Sequence, residues 1–280
     1  MLRLIQLEWI KTFGKLRTYI GFAAICGLLP LIFIGLNLDK GHFLMRTPGY
    51  EILQQNFFMV GNLLNGFFVS QLVMYFLMVH IPFFIVLVAG DLVAGEATAG
   101  TLRMILVRPP SRSRILLAKV AIGFIYTMLL VLCLAVLSLG LGTILFGTGD
   151  LLVRTEGLLI LPKDAALFRF MIAYPLAMIG MCVIASLAIL LSVLVENAIG
   201  PIVGSMAVVV VCLIISETPI SLFDKISPYL FTTHTKVWQM AFLDPLPVIP
   251  IIFSIAFLLV YMVLFLGSAF IIFNRRDILS

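Results

Sequence analysis

Apolar residues fall into six long runs, near 19–36, 69–89, 120–141, 170–195, 198–216 and 248–273, each bounded by short polar or mixed stretches. Each run is close to the roughly 20 residues that cross about 30 Å of hydrocarbon at 1.5 Å per residue. Inside a bilayer every backbone N–H and C=O must be bonded within the segment, so such runs predict helices. The polar/apolar alternation of outer-membrane strands is absent, which argues against a barrel. Residues 1–17 keep a different rhythm. Leu2, Ile5, Trp9, Phe13 and Leu16 recur at three- and four-residue spacing, while Arg3, Glu8, Lys11, Thr12 and Lys15 occupy much of the other side. That pattern predicts a basic amphipathic helix in the membrane interface. The expected fold is all-α and integral to the membrane: an N-terminal interfacial helix plus six transmembrane helices, in a single domain over residues 1–280.

Composition supports this class. The chain is 62% hydrophobic and 11% charged, with mean hydropathy +1.21, far from a soluble domain. The first apolar run lacks a clear small-residue cleavage site and reads as an uncleaved span. The net charge of +5 is explained by loop topology, without nucleic acid. With the N-terminus inside, segments 1–18, 90–119, 196–197 and 274–280 hold eleven Lys and Arg, and the longer opposite loops 37–68, 142–169 and 217–247 hold seven. Acidic residues run the other way, five against eight. Both termini are therefore expected in the cytoplasm of a multi-pass inner or plasma membrane protein. The opposite loop at 217–247 carries Tyr229, Phe231, Trp238 and Phe242, and reads as short helices dipping into the outer leaflet with aromatics at headgroup depth.

The candidate chemistry is mostly an inventory of absences. Asp91, Glu196 and Arg169 sit at span ends and only His80 lies well inside one, so the buried charge relay of an ion-coupled carrier is missing. His80, just before Pro82, reads as a helix-packing residue. Cys26, Cys133, Cys182 and Cys212 all lie in apolar runs without disulfide or zinc spacing. Neither a zinc H-E-x-x-H nor a G-x-S-x-G elbow occurs, and an enzyme is not expected. Gly140-Leu141-Gly142 lacks the rest of a dinucleotide fingerprint and reads as packing or loop entry. The chain also lacks G-x-x-x-x-G-K-[ST], so any ATP that powers it is bound by another polypeptide.

The longest polar and basic interruption spans 90–120 and carries Arg103, Arg108, Arg112, Arg114 and Lys119. Ser111 is placed to cap the helix that follows. Within it, Glu96-x-x-x-Gly100-Thr101-Leu102 is followed by Arg108-Pro109, Ser111-Arg112 and Lys119. This string resembles ABC-2-type transporter permeases, in which an E-x-x-x-G-T-L…P-x-S-R…K segment joins spans two and three on the cytoplasmic side. The six-span layout and, more weakly, Phe231-Thr232-Thr233-His234 resemble bacterial members too.

The resemblance implies the transmembrane subunit of an exporter with a type V exporter-like fold. Residues about 91–108 would be the coupling helix and its approach, docking in a cleft of a separate ABC ATP-binding subunit. Asp91, Glu96, Gly100, Thr101, Leu102, Arg103 and Arg108 would form that interface: Glu96 fixing the local turn or meeting a basic group across it, Gly100 and Thr101 allowing close packing, Arg103 and Arg108 pairing with acidic residues or lipid phosphates. The implied partners are that subunit, which carries ATP and Mg, a second permease copy or paralogue, and membrane lipid. This chain would bind no cofactor and no metal. Gly200-x-x-x-Gly204 allows close helix approach, as a dimer seam or as packing within one chain. The expected cargo is amphipathic or lipid-like: a drug, peptide antibiotic, lipid or glycolipid. The alternative is a membrane anchor or assembly component of an ATPase-containing machine with no transport activity of its own; a secondary carrier and a membrane enzyme rank below it.

Overall fold

The computed structural model describes residues 1–39, 64–101, 111–154 and 158–275. Its helices are α1 (Leu2–Phe13), α2 (Leu16–Asp39), α3 (Gly66–Met78), α4 (Ile81–Ala89), α5 (Asp91–Thr98), α6 (Arg112–Phe146), α7 (Lys163–Leu194), α8 (Ile199–Glu217), α9 (Ser221–Ile226), α10 (Phe231–His234) and α11 (Val248–Arg275). Short 3-10 turns run over Ser227–Tyr229 and Thr235–Phe242. Five helices, α2, α6, α7, α8 and α11, are long and apolar enough to cross a membrane. The pair α3–α4, bent by 47° at its break, makes a sixth if counted as one span. The expectation of a helical membrane fold with about six spans agrees with this architecture.

Several boundaries differ from the pattern reading, the start of α7 at Lys163 and not 170 among them. The third apolar helix begins at Arg112, not 120, and runs 35 residues to Phe146, so Arg112, Arg114 and Lys119 lie on a helix. Charged residues need not end a helix when the next turn continues it, and only the apolar part of α6 was legible from hydropathy. Ser111 stands at its N-cap position without a side-chain cap bond. The second span starts at Gly66, where Asn65 Oδ1 accepts from the Phe68 N–H at 3.0 Å. An antiparallel hairpin, β1 (Leu151–Arg154) with β2 (Leu158–Leu161), pairs Leu151 with Leu161 between α6 and α7, a local departure from the all-α expectation.

The core is centred on α7. Of its most apolar stretch 78% is buried, against 17–22% for α2, α8 and α11, so α7 is the post and these three face outward. Between lipid-bathed helices association relies on packing and close backbone approach, because lipid is as apolar as leucine. Gly66 and Gly142 meet this need: a Cβ on Gly66 would lie 2.5 Å from the carbonyl of Gly142, so α3 and α6 cross backbone to backbone. Ser70 Oγ donates at the same crossing to the carbonyls of Gly66 and Ser138, and Ser138 bonds the Tyr174 hydroxyl of α7 at 2.6 Å.

The 217–247 segment is a wedge against α7. Phe231, Trp238 and Phe242 are each at most 3% exposed, and Thr235 packs so closely on Gly180 that a Cβ there would sit 3.1 Å from its Cα. Gly180 is about 25 Å along α7 from Lys163 at 1.5 Å per residue. Phe231, Trp238 and Phe242 are therefore packed within the protein, while Tyr229 is 68% exposed. Their amphipathic composition suits either setting, and only the partner helix decides.

Candidate functional site

At the end of the bundle that holds α1 and α5, seven charged side chains converge. Glu8 and Lys11 come from α1, Lys15 from the turn into α2 and Arg17 from its first turn, Asp91 and Glu96 from α5, and Lys119 from the N-terminal part of α6. Four of them close a ring. Lys11 Nζ lies 2.8 Å from Glu8 Oε1 and 2.9 Å from Glu96 Oε1. Lys119 Nζ lies 2.8 Å from Glu8 Oε2 and 2.7 Å from Glu96 Oε2. Each carboxylate thus faces two ammonium groups and each ammonium two carboxylates, with no net charge left over. Lys119 is 1% exposed and Glu8 and Glu96 under a tenth. Buried charges persist only when paired this completely, since an unpaired ion is expensive in a low dielectric.

Burial by itself pushes the Glu8 carboxyl upward, and it is the largest single influence on that group. Lys119 and Lys11, through charge and hydrogen bonds, outweigh it and hold the carboxyl below its ordinary value. For Lys11 burial pulls downward, and the bonds to Glu8 and Glu96 outweigh that to hold the ammonium above its ordinary value.

A second group flanks the ring. Asp91 Oδ2 pairs with Lys15 Nζ at 2.8 Å and with the Arg17 guanidinium. Asp91 folds back over Gly95, where a Cβ would fall 2.2 Å from Oδ1, so that glycine is what lets the carboxylate sit against its own helix. The remaining side of α5 is held by α7 and α8. Ser192 Oγ accepts from the backbone N–H groups of Val93 and Ala94 at 3.1 and 2.9 Å; Val93 is a first-turn donor with no partner within the helix. Thr98 Oγ1 donates to the Glu196 carbonyl at 2.9 Å and accepts from the Ala198 N–H at 3.1 Å. The eight-residue helix α5 is therefore clamped between the N-terminal segment, α6 and the α7–α8 junction.

The residues singled out in the sequence divide as follows. Asp91 and Glu96 are in the cluster, with carboxylates facing cations of their own chain and not an outside surface; this locates the basic group Glu96 needs inside the protein. Gly100, at φ +68° with open space around it, ends α5 in the left-handed conformation that glycine adopts without strain. Its N–H reaches the Ala97 carbonyl at 3.0 Å, and Thr101 Oγ1 reaches the Glu96 carbonyl at 3.3 Å. Leu102, Arg103 and Arg108 lie outside the described residues. Gly200 and Gly204 pack on Val195 and Leu191 of the same chain, at 3.0 and 3.4 Å from an added Cβ, the intrachain side of the two roles open to them.

Sequence reading missed Glu8, Lys11, Lys15 and Arg17 as site residues; it placed Glu8, Lys11 and Lys15 on the polar side of an interfacial helix and gave Arg17 no role. In the structure that polar face turns inward, burying Glu8 and Thr12, while Leu2, Leu7 and Ile10 are 77%, 55% and 68% exposed. A hint was present: Lys119 sits directly before an uninterrupted apolar run, where a lone cation needs anions, and Glu8 and Glu96 are among the few on its side of the chain.

A model of the family described as "Protein of unknown function (DUF2705)" matches residues 30–279. It includes Asp91, Glu96 and Lys119 and begins after α1. The chain is also similar to "Uncharacterized protein YhcI" of Bacillus subtilis (strain 168), at 25% identity over 99% of both chains.

Proposed function

We propose that this chain, which belongs to the DUF2705 family, is the membrane-spanning permease subunit of an ATP-binding cassette exporter. It would move an amphipathic or lipid-like molecule with ATP hydrolysed, together with Mg, on a separate subunit, and work as a pair with a second copy or paralogue. In this reading it is a multi-pass protein of the cell membrane with both termini cytoplasmic. Helix α1 lies in the inner-leaflet interface with Leu2, Leu7 and Ile10 toward lipid.

The observation that carries the reading is the clamping of α5. The E-x-x-x-G-T-L string begins on this helix and leaves it at Gly100. Whatever grips the residues that follow pulls on an element bonded to α1 and α6 through the Glu8–Lys11–Glu96–Lys119 ring. The same element is bonded to α7 and α8 through Ser192 and Thr98. A short rigid helix fixed to several spans is what a lever needs to convert closure of an attached ATPase into rearrangement of the bundle.

The test begins with a search of the neighbouring reading frames for a P-loop ATPase and continues with reconstitution of that subunit and this chain in lipid. Arg103→Glu, which leaves the ring intact, should abolish stimulation of ATP hydrolysis and transport while the protein remains folded. Full stimulation in that variant overturns the docking role. A stable complex with neither stimulation nor transport in the wild type leaves the membrane anchor as the correct reading.

A further inference from the structure

Neither the charge ring nor the lever uses His80. It lies at the break between α3 and α4, where the helices bend by 47° and Pro82, having no N–H, denies the Met78 carbonyl its usual donor. Gly90 follows ten residues later, which puts the break about 15 Å from that end of the span, near the middle of about 30 Å of hydrocarbon. His80 is exposed, contrary to the packing role its sequence context suggests. It shares one stripe with Phe76, Val79 and Phe83, which are 58%, 57% and 47% exposed, at three- and four-residue spacing across the break.

The ring has a defined tautomer. His80 Nδ1 lies 2.9 Å from the Phe76 carbonyl. A carbonyl only accepts, so Nδ1 carries a proton, and with Nδ1 as its single N–H the ring offers Nε2 as an acceptor. Hydrocarbon has no donor to offer it. Broken backbone and ionisable side chains at this depth occur where they face protein or a watered cavity. A second copy packed two-fold on this stripe would set acceptor against acceptor, and Phe76, Val79 and Phe83 bring no donor.

We propose that the stripe is a binding face for an amphipathic molecule. Its apolar body lies on Phe76 and Phe83, and its hydroxyl, amide N–H or amine donates to His80 Nε2. This deepens the permease reading, on which the word cargo rests, by naming the contact and the chemistry selected: a hydrogen-bond donor at mid-membrane depth.

The test uses the full chain in lipid nanodiscs and a matched probe pair, N-hexyl dansylamide, which has an N–H, and its N-methyl derivative, which has none. Dansyl fluorescence should show the N–H probe binding about two- to tenfold more tightly, as one net hydrogen bond predicts. His80→Phe should abolish that preference, and His80→Gln, whose amide oxygen accepts, should keep it. Equal affinities in the wild type, or an undiminished preference in His80→Phe, overturn the proposal. So does efficient self-cross-linking of Val79→Cys in membranes, which makes the stripe a seam between copies. ATP plays no part in this measurement. Loss of coupling with the probe preference intact removes only the permease reading, and the reverse result removes only this one.

Discussion

Replacing Lys119 by Met removes the one ring cation that is fully buried. The ring then holds two carboxylates, Glu8 and Glu96, facing Lys11 alone, whose side chain is 41% exposed. Breaking a buried, hydrogen-bonded ion pair costs about 3–5 kcal/mol, most of it the uncompensated charge left behind. Lys11→Met removes a partly solvated partner, for which screening limits the cost to about 1 kcal/mol or less. At about 2–4 °C per kcal/mol for a chain of this size class, Lys119→Met should lower the melting temperature by about 6–20 °C. In a background with Cys26, Cys133 and Cys212 replaced by Ala, a thiol-reactive fluorogenic dye can follow this through Cys182, which is 3% exposed until the bundle opens. The triple variant Glu8→Gln, Glu96→Gln, Lys119→Met removes charge in balance and should recover most of the loss, because contacting residues couple non-additively. If Lys119→Met melts no lower than Lys11→Met, or the triple variant melts below the single one, the ring does not anchor this end of the bundle.

Three further outcomes are expected. Attachment of α1 should be constant across neutral pH. The Glu8 contribution is complete above its ordinary 4.5 and is lost as pH falls through the lower folded value. The Lys11 contribution is complete below its ordinary 10.5 and is lost as pH rises through the higher folded value. A nitroxide at Gln6 should gain mobility only at these two extremes, and a midpoint near neutrality would contradict the pairing. Gly100→Ala should cost about 1–2 kcal/mol of strain at φ +68° with no clash; thermal melting should place it well below Lys119→Met in severity. Ser192→Ala should leave the Val93 amide without its acceptor, a loss of about 1–2 kcal/mol, and hydrogen exchange at that amide should accelerate selectively.

The chain by itself determined that this is a bundle of membrane-length helices, because about 20 consecutive apolar residues admit few other structures in a bilayer. It also marked residues 90–120 as the principal polar break, while the end of α5 at Gly100 is seen only in the structure. Tertiary structure decided what those charges face. Amphipathic spacing in α1 reveals two faces and not which one turns inward: against solvent the polar face of Glu8 and Lys11 would point out, but Glu96 and Lys119, brought together by α5 and α6, draw it into the interior. Lys119 read as the end of a loop because hydropathy cannot distinguish a charge outside a helix from one inside it that has found its anions. Trp238 and Phe242 read as interfacial for the same reason, until α7 supplied Gly180 as a surface flat enough to bury the wedge that carries them. Pairing between residues 8, 96 and 119 depends on helices crossing in space, and no local pattern along the chain records a crossing.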